Sequence, residues 1–212
     1  MRQEIKFRFY PAELDKFFAF LYKNGLTETY QPRNVSSIYY DSFDYSAAQS
    51  NLSGNLTRRK FRLRWYETNY PQKSATFEIK EKHNKDGMKR SFDVEIDYEN
   101  KHSKIKKKIA SSLGNLNILF AFYNDPKTIV RYKRKYFEND ARDLRVTLDT
   151  NIEYVPQLFN DRINVSRFVK SNPQYVMELK YLNANQENVE SMLKDATFIN
   201  YRNSKYVQSV TE

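Results

Sequence analysis

Residues 57–67, T-R-R-K-F-R-L-R-W-Y-E, concentrate the side chains best able to do chemistry. Side chains alternate between the two faces of a strand. A strand here therefore puts Arg58, Lys60, Arg62 and Arg64 on one face and Phe61, Leu63 and Trp65 on the other. On a lone half-buried strand such cations are a solvated stripe. The arrangement recurs along the chain, however, with carboxylates among the cations. Glu4 and Lys6 lie opposite Ile5 and Phe7, and Glu78, Lys80 and Lys82 opposite Phe77 and Ile79. Lys89, Ser91, Asp93 and Glu95 alternate with Met88, Phe92, Val94 and Ile96. Arg145, Thr147 and Asp149 stand against Leu144, Val146 and Leu148, and Glu178 and Lys180 against Met177 and Leu179. Arginine offers phosphate a planar bidentate contact, and lysine a compact point charge. Carboxylates among them partly neutralise the cations, and one or two can hold a magnesium or manganese ion bridging phosphate oxygens. The sequence has no glycine-rich phosphate loop, so side chains must do this work.

The elements that position these residues are legible from periodicity. A strand over residues 2–9 adds Arg2 and Arg8 to the charged face. Pro11 opens a helix to about Lys23, with Leu14, Phe17, Phe18 and Leu21 at helical spacing and Asn24-Gly25 as its stop. Residues 35–41 form a strand with Tyr39 and Asp41 opposite Ile38 and Tyr40, followed by a polar connection to Asn55 with room for one helical turn. Lys85-Asp86-Gly87 has turn chemistry. Residues 103–123 read as helix broken near Gly114, with Ile105, Ile109, Leu113, Leu116, Leu119 and Phe120 inward. The lysines between Lys104 and Lys108 form its solvated face. In the strand after Pro126 the parity is ambiguous, because Arg131, Lys133 and Lys135 share one face and Tyr132 and Arg134 the other. Residues 153–174 read as loop with room for a short helix, a helix runs from about Gln186 to Lys194, and Ser204-Lys205-Tyr206 belongs to a terminal segment. The expected fold is α+β, a closed antiparallel eight-stranded barrel forming a single domain over residues 1–212. Its charged set points inward, because an apolar lumen would leave the amphipathic helices no apolar sheet to cover.

Composition narrows the partners. The formal charge of +10 over 212 residues points to a polyanion. No cysteine is present, which removes disulfides and thiolate zinc sites, and two histidines argue against a histidine metal centre or triad. A metal would be a hard cation on oxygen ligands. Neither an apolar leader nor a membrane span is read from the sequence, so the expected location is cytoplasmic, with any membrane partner a separate protein. Nucleic acid is not expected, because the aromatics fall largely on apolar faces where they cannot stack on bases.

Taken in order, the motifs resemble a known family. They are the E-x-K of Glu4 and Lys6, S-I-Y-Y-D at 37–41, R-L-R-W-Y at 62–66, the E-x-K of Glu78 and Lys80, and Lys89. Further along stand Tyr132-Lys133-Arg134, R-V-T-L-D-T at 145–150, M-E-L-K-Y at 177–181, and Ser204-Lys205-Tyr206. The set is similar to the vacuolar transporter chaperone (VTC) domain, a branch of the CYTH-like triphosphate tunnel metalloenzymes. The resemblance implies a polyphosphate polymerase that moves the terminal phosphoryl group of ATP onto a polyphosphate chain. It orients Arg134 toward the tunnel. By position it implies phosphate contacts from Lys6, Arg62, Arg64, Lys80, Lys89, Arg134, Arg145 and Lys205. Arg62, Arg64, Lys80, Arg134 and Arg145 are the catalytic set, Lys60 and Lys180 are further lumen cations, and Glu178, with Glu4, is the manganese or magnesium ligand. Two other functions stay open. One is a metal-dependent hydrolase of tripolyphosphate, which the acidic residue on the first strand favours. The other is a non-catalytic polyphosphate-binding module.

Overall fold

Alternation along the strands decides which face of the sheet each helix covers. The computed structural model describes residues 2–71, 73–84, 86–96, 101–166, 168–170, 174–194, 198–200 and 204–211. Lys85 of the expected turn and the side chain of Arg2 lie outside what is described. The strands are β1 (Arg2–Phe9), β2 (Thr27–Asp41), β3 (Thr57–Tyr66), β4 (Ser74–His83), β5 (Asp86–Glu95), β6 (Asp125–Glu138), β7 (Leu144–Pro156), β8 (Val169–Lys170), β9 (Tyr175–Leu182) and β10 (Ile199–Asn200). The helices are α1 (Leu14–Lys23), α2 (Ser46–Leu52), α3 (His102–Ser112), α4 (Asn117–Phe122), α5 (Gln186–Lys194) and α6 (Lys205–Thr211). The break between α3 and α4 falls at Gly114, whose φ of 53° is left-handed and suits a residue without Cβ.

The expected closed barrel is not formed. Hydrogen-bonded neighbours run β10-β1-β9-β7-β6-β2-β3-β4-β5, with β8 on β7, in an open ten-stranded sheet. Closure requires the two outermost strands to pair. Instead β10 pairs Phe7 and Arg8 of β1, and among the described residues β5 pairs with β4 alone. Alternation fixes faces and carries no information about edges, which is why the sequence pattern suggested closure. Other differences are local. The second strand extends back to Thr27, the helical turn allowed for after Asp41 is the seven-residue α2, residues 153–174 include the end of β7 and all of β8, and the terminal segment is helical.

The chain divides into two compact units. One comprises Met1–Arg33, Tyr132–Ile152 and Lys170–Asn203. Its core joins Phe7 and Phe9 of β1, Val146 and Leu148 of β7, and Met177 and Leu179 of β9 to Phe17, Phe20 and Leu21 of α1 and Val189 of α5. The other comprises Asn34–Arg131, Glu153–Val169 and Ser204–Glu212. There Ile38, Tyr40, Phe61, Leu63, Phe77 and Ile79 pack beneath Ile105 and Ile109 of α3 and Phe120 of α4. Each such fully buried aliphatic or aromatic side chain contributes roughly 1.5–3 kcal/mol. Burial of one sheet face in each unit is what commits the opposite, charged face to a different use.

Asp41 is a structural residue of the second unit. Its carboxylate is fully buried and accepts hydrogen bonds from the backbone N–H groups of Ser42 (2.7 Å), Ala47 (2.9 Å) and Ala48 (3.0 Å). The last two are donors of the first turn of α2, which lack partners within the helix. The Tyr206 hydroxyl of α6 donates to the same carboxylate at 2.5 Å, and its ring stacks on Tyr39 with centroids 5.0 Å apart. The C-terminal helix is thereby tied to β2.

Candidate functional site

In the second unit the ladder register lines up the charged residues of four strands in rows. One row runs Tyr39, Arg62, Glu78, Ser91, and the next Ser37, Arg64, Thr76, Asp93. Toward the other end stand Lys60, Lys80 and Lys89, directly opposite one another across β3, β4 and β5. Beyond them lie Arg58, Lys82 and Gly87. Like charges directly opposite on adjacent strands destabilise a sheet. This face stacks three of them side by side.

Glu78 is a buried carboxylate at the centre of these rows, at 4 % exposure. It accepts from Arg62 Nε at 2.5 Å and Lys89 Nζ at 2.9 Å, with Arg64 at 3.6 Å. Burial alone would raise its pKa, but Arg62, Arg64 and Lys89 outweigh burial and hold it at about 2. Arg62 also donates to the Tyr39 hydroxyl at 3.2 Å. Burial pushes that phenol up, and Arg62, Arg64 and Lys205 together bring it below its ordinary value. Lys60 donates to Ser204 Oγ at 2.8 Å, and Lys205 is buried at the start of α6. A cavity of about 610 Å³ is lined by Arg64, Thr76 and Asp93 together with Trp65, Tyr66 and Val94.

In the first unit the register again collects charge on one face. Glu4 stands opposite Lys180 and Lys6 opposite Glu178 on β1 and β9, while Arg145 faces Lys180 and Thr147 faces Glu178 on β7 and β9. Glu178, 6 % exposed, is paired with Lys6 at 3.1 Å, Arg134 at 3.4 Å and Lys180 at 3.6 Å. Glu4 shares Lys6 at 3.2 Å and Lys180 at 3.7 Å. Burial lowers the Lys6 pKa, but Glu178 and Glu4 outweigh it and hold the ammonium above its ordinary value. Arg134 grips Asp149 in a bidentate pair, at 2.6 and 2.7 Å. The ambiguous parity of β6 is thus resolved with Arg134 beside Glu178 and Asp149, while Arg131 pairs with Glu153 and Lys135 with Glu28. Arg145 is bound to the buried carboxylate of Glu138.

The two faces differ in balance. Lys6, Arg134, Arg145 and Lys180 of the first unit are matched by Glu4, Glu138, Asp149 and Glu178. In the second, Lys60, Arg62, Arg64, Lys80 and Lys89 are set against Glu78, with Asp93 further along beside Thr76. Sequence reasoning collected the cations but assigned no role to Asp149, Glu138, Tyr39, Ser37 or Thr147. Alternation already placed Tyr39, Thr147 and Asp149 on charged faces, so a signal existed for those three. Among the described residues, the buried Ser37 Oγ, Arg64 Nε and Thr147 Oγ1 find no hydrogen-bond partner.

Among the described residues no group of three or more His, Cys, Asp or Glu is placed to hold a metal. An all-protein cage is therefore not what these residues fit. Magnesium needs less, since it is commonly held by one or two carboxylates plus substrate phosphates. Glu4 and Glu178, converging on the same two lysines, fit that lesser demand.

Fold and faces together define, in each unit, antiparallel strands with helices packed on the apolar face and charged side chains gathered on the other. The chain belongs to the VTC domain family, whose model matches residues 1–212. Among solved structures it is similar to a protein from Hippeastrum described as a putative adenylyl cyclase with a dominant triphosphatase activity. That match has 14 % identity and a TM-score of 0.56, and covers 100 % of this chain and 96 % of that one. A putative adenylate cyclase from Vibrio parahaemolyticus matches with 13 % identity and a TM-score of 0.53, over 98 % and 97 % of the two chains. No curated protein matches the chain. No helix among the described residues is long and apolar enough to cross a membrane.

Proposed function

We propose that this protein binds linear triphosphate or polyphosphate through the basic face of its second unit and cleaves the terminal phosphoanhydride with water as acceptor. The observation that carries the reading is the row Lys60, Lys80, Lys89 beside Arg62 and Arg64. Such a row costs stability until a multivalent anion lies across it, and a phosphate chain carries several negative charges within reach of long lysine and arginine side chains. Arg62, Arg64, Lys60, Lys80, Lys89 and Lys205 bind the chain, and Arg62, Arg64 and Lys80 neutralise charge on the transferring phosphoryl group. In the first unit, Lys6, Arg134, Arg145 and Lys180 are the proposed phosphate contacts, with Arg134 and Arg145 in the catalytic set. There Glu178, with Glu4, would hold a magnesium or manganese ion carried in on phosphate oxygens; such an ion withdraws charge from the phosphoryl oxygens. Water is favoured as acceptor by Glu4 on the first strand and by the triphosphatase described for the Hippeastrum protein. The second reading, transfer from ATP onto a growing polyphosphate chain, is favoured by the VTC domain match over residues 1–212.

Purified protein incubated with tripolyphosphate or with ATP, plus magnesium or manganese, separates these readings by product length. Free phosphate without longer chains supports the hydrolase. Long chains support the second reading. Tight binding without turnover leaves a polyphosphate-binding module, and the absence of both binding and turnover refutes the proposal.

A further inference from the structure

Ser37 is 1 % exposed and lies on β2 directly opposite Arg64 of β3. Register partners present their side chains on the same face with Cβ atoms about 5 Å apart. The hydroxyl therefore shares with the Arg64 side chain the face that carries Tyr39, Arg62 and Glu78. Both Ser37 Oγ and Arg64 Nε are buried, and among the described residues neither has a hydrogen-bond partner. Leaving a buried donor unpaired costs free energy that folding does not return. Arg64 reaches Glu78 only through a terminal nitrogen at 3.6 Å, so its Nε–H stays directed elsewhere. Arg64 is also one of the residues lining the cavity that Thr76 and Asp93 border. Two donors on register-paired residues, one cationic and one neutral, are thus left over in a setting already rich in cations.

We propose that Ser37 Oγ and Arg64 Nε together bind one oxygen of a phosphate group, making Ser37 a substrate-contacting residue. This rests on the proposed phosphate-chain reading and extends it to an uncharged residue that charge counting passes over. A hydroxyl donor discriminates differently from a cation. It contributes a short directional bond with no long-range attraction, so it favours an oxygen at one position over anionic charge in general.

The test compares the wild type with Ser37→Ala and Ser37→Thr, using tripolyphosphate calorimetry at fixed salt and thermal unfolding without ligand. Ser37→Ala is expected to weaken tripolyphosphate binding about fivefold, as loss of one hydrogen bond does. Its unliganded Tm should be unchanged or higher, because an unpaired buried hydroxyl has been removed. Ser37→Thr, which keeps the donor on a strand-compatible side chain, should retain most of the affinity. Unchanged affinity in Ser37→Ala overturns the proposal while leaving the phosphate-chain reading standing. A lowered Tm with unchanged affinity would identify the hydroxyl as structural and overturn it equally. Failure of the wild type to bind tripolyphosphate overturns both.

Discussion

Replacing Glu78 with Gln removes one negative charge from the basic face while keeping the side chain's shape. Three cations rely on that carboxylate: Arg62 at 2.5 Å, Lys89 at 2.9 Å and Arg64 at 3.6 Å. Its pKa falls from 4.5 to about 2 on folding. A depressed folded-state pKa means that the stabilisation is fully present above the unfolded value and is lost as pH drops from about 4.5 through about 2. A shift of this size corresponds to about 3 kcal/mol at neutral pH. Chemical denaturation of Glu78→Gln at pH 7 should therefore show a loss of about 3 kcal/mol. Its stability should also fall less steeply than that of the wild type between pH 4.5 and pH 2. Phosphate binding should move the other way. Removing a like charge about 4 Å from a phosphate oxygen is worth about 1 kcal/mol even at the dielectric of water, or about fivefold in affinity. Tripolyphosphate should thus bind the variant more tightly and restore part of its lost stability by mass action. Acid limbs that superimpose for the two proteins would refute the assigned role of Glu78. So would a variant that binds tripolyphosphate more weakly.

Three further expectations follow from individual residues. Arg64→Ala should weaken tripolyphosphate binding far more than monophosphate binding, because each charge-assisted contact is worth about 1.5–3 kcal/mol and only the chain engages several together; equal losses by calorimetry would count against chain binding. Glu178→Gln should raise the manganese concentration needed for turnover while metal-free chain binding persists, and an unchanged metal titration would assign Glu178 to neutralising Lys6, Lys180 and Arg134 instead. His102 is buried at the start of α3, where burial lowers its pKa from 6.5 to about 4. The folded state excludes a proton that the unfolded chain accepts, so stability is lost as pH falls from about 6.5 to about 4, and His102→Leu should flatten that limb by about 3 kcal/mol.

The sequence by itself determined which residues share a face. A period of two is a local property of the strand, so Arg62 and Arg64 could be separated from Phe61 and Leu63 without knowing what either set would meet. The same logic matched the apolar stripes of α1 and α3 to the apolar faces of strands. Tertiary structure decided everything that depends on which strand lies beside which. Register sets Lys60, Lys80 and Lys89 in one row and gives Glu78 its three cations, and the packing of β1 and β6 adds Lys6 and Arg134 to the Lys180 that alternation already placed beside Glu178. It also settled the parity of β6, through the grip of Arg134 on Asp149. Sheet closure was beyond the reach of alternation, because an edge strand and an interior strand carry the same pattern of faces. What distinguishes them is whether the outer backbone N–H and C=O groups find a partner, and that pairing joins residues far apart in the chain, such as Phe7 with Asn200.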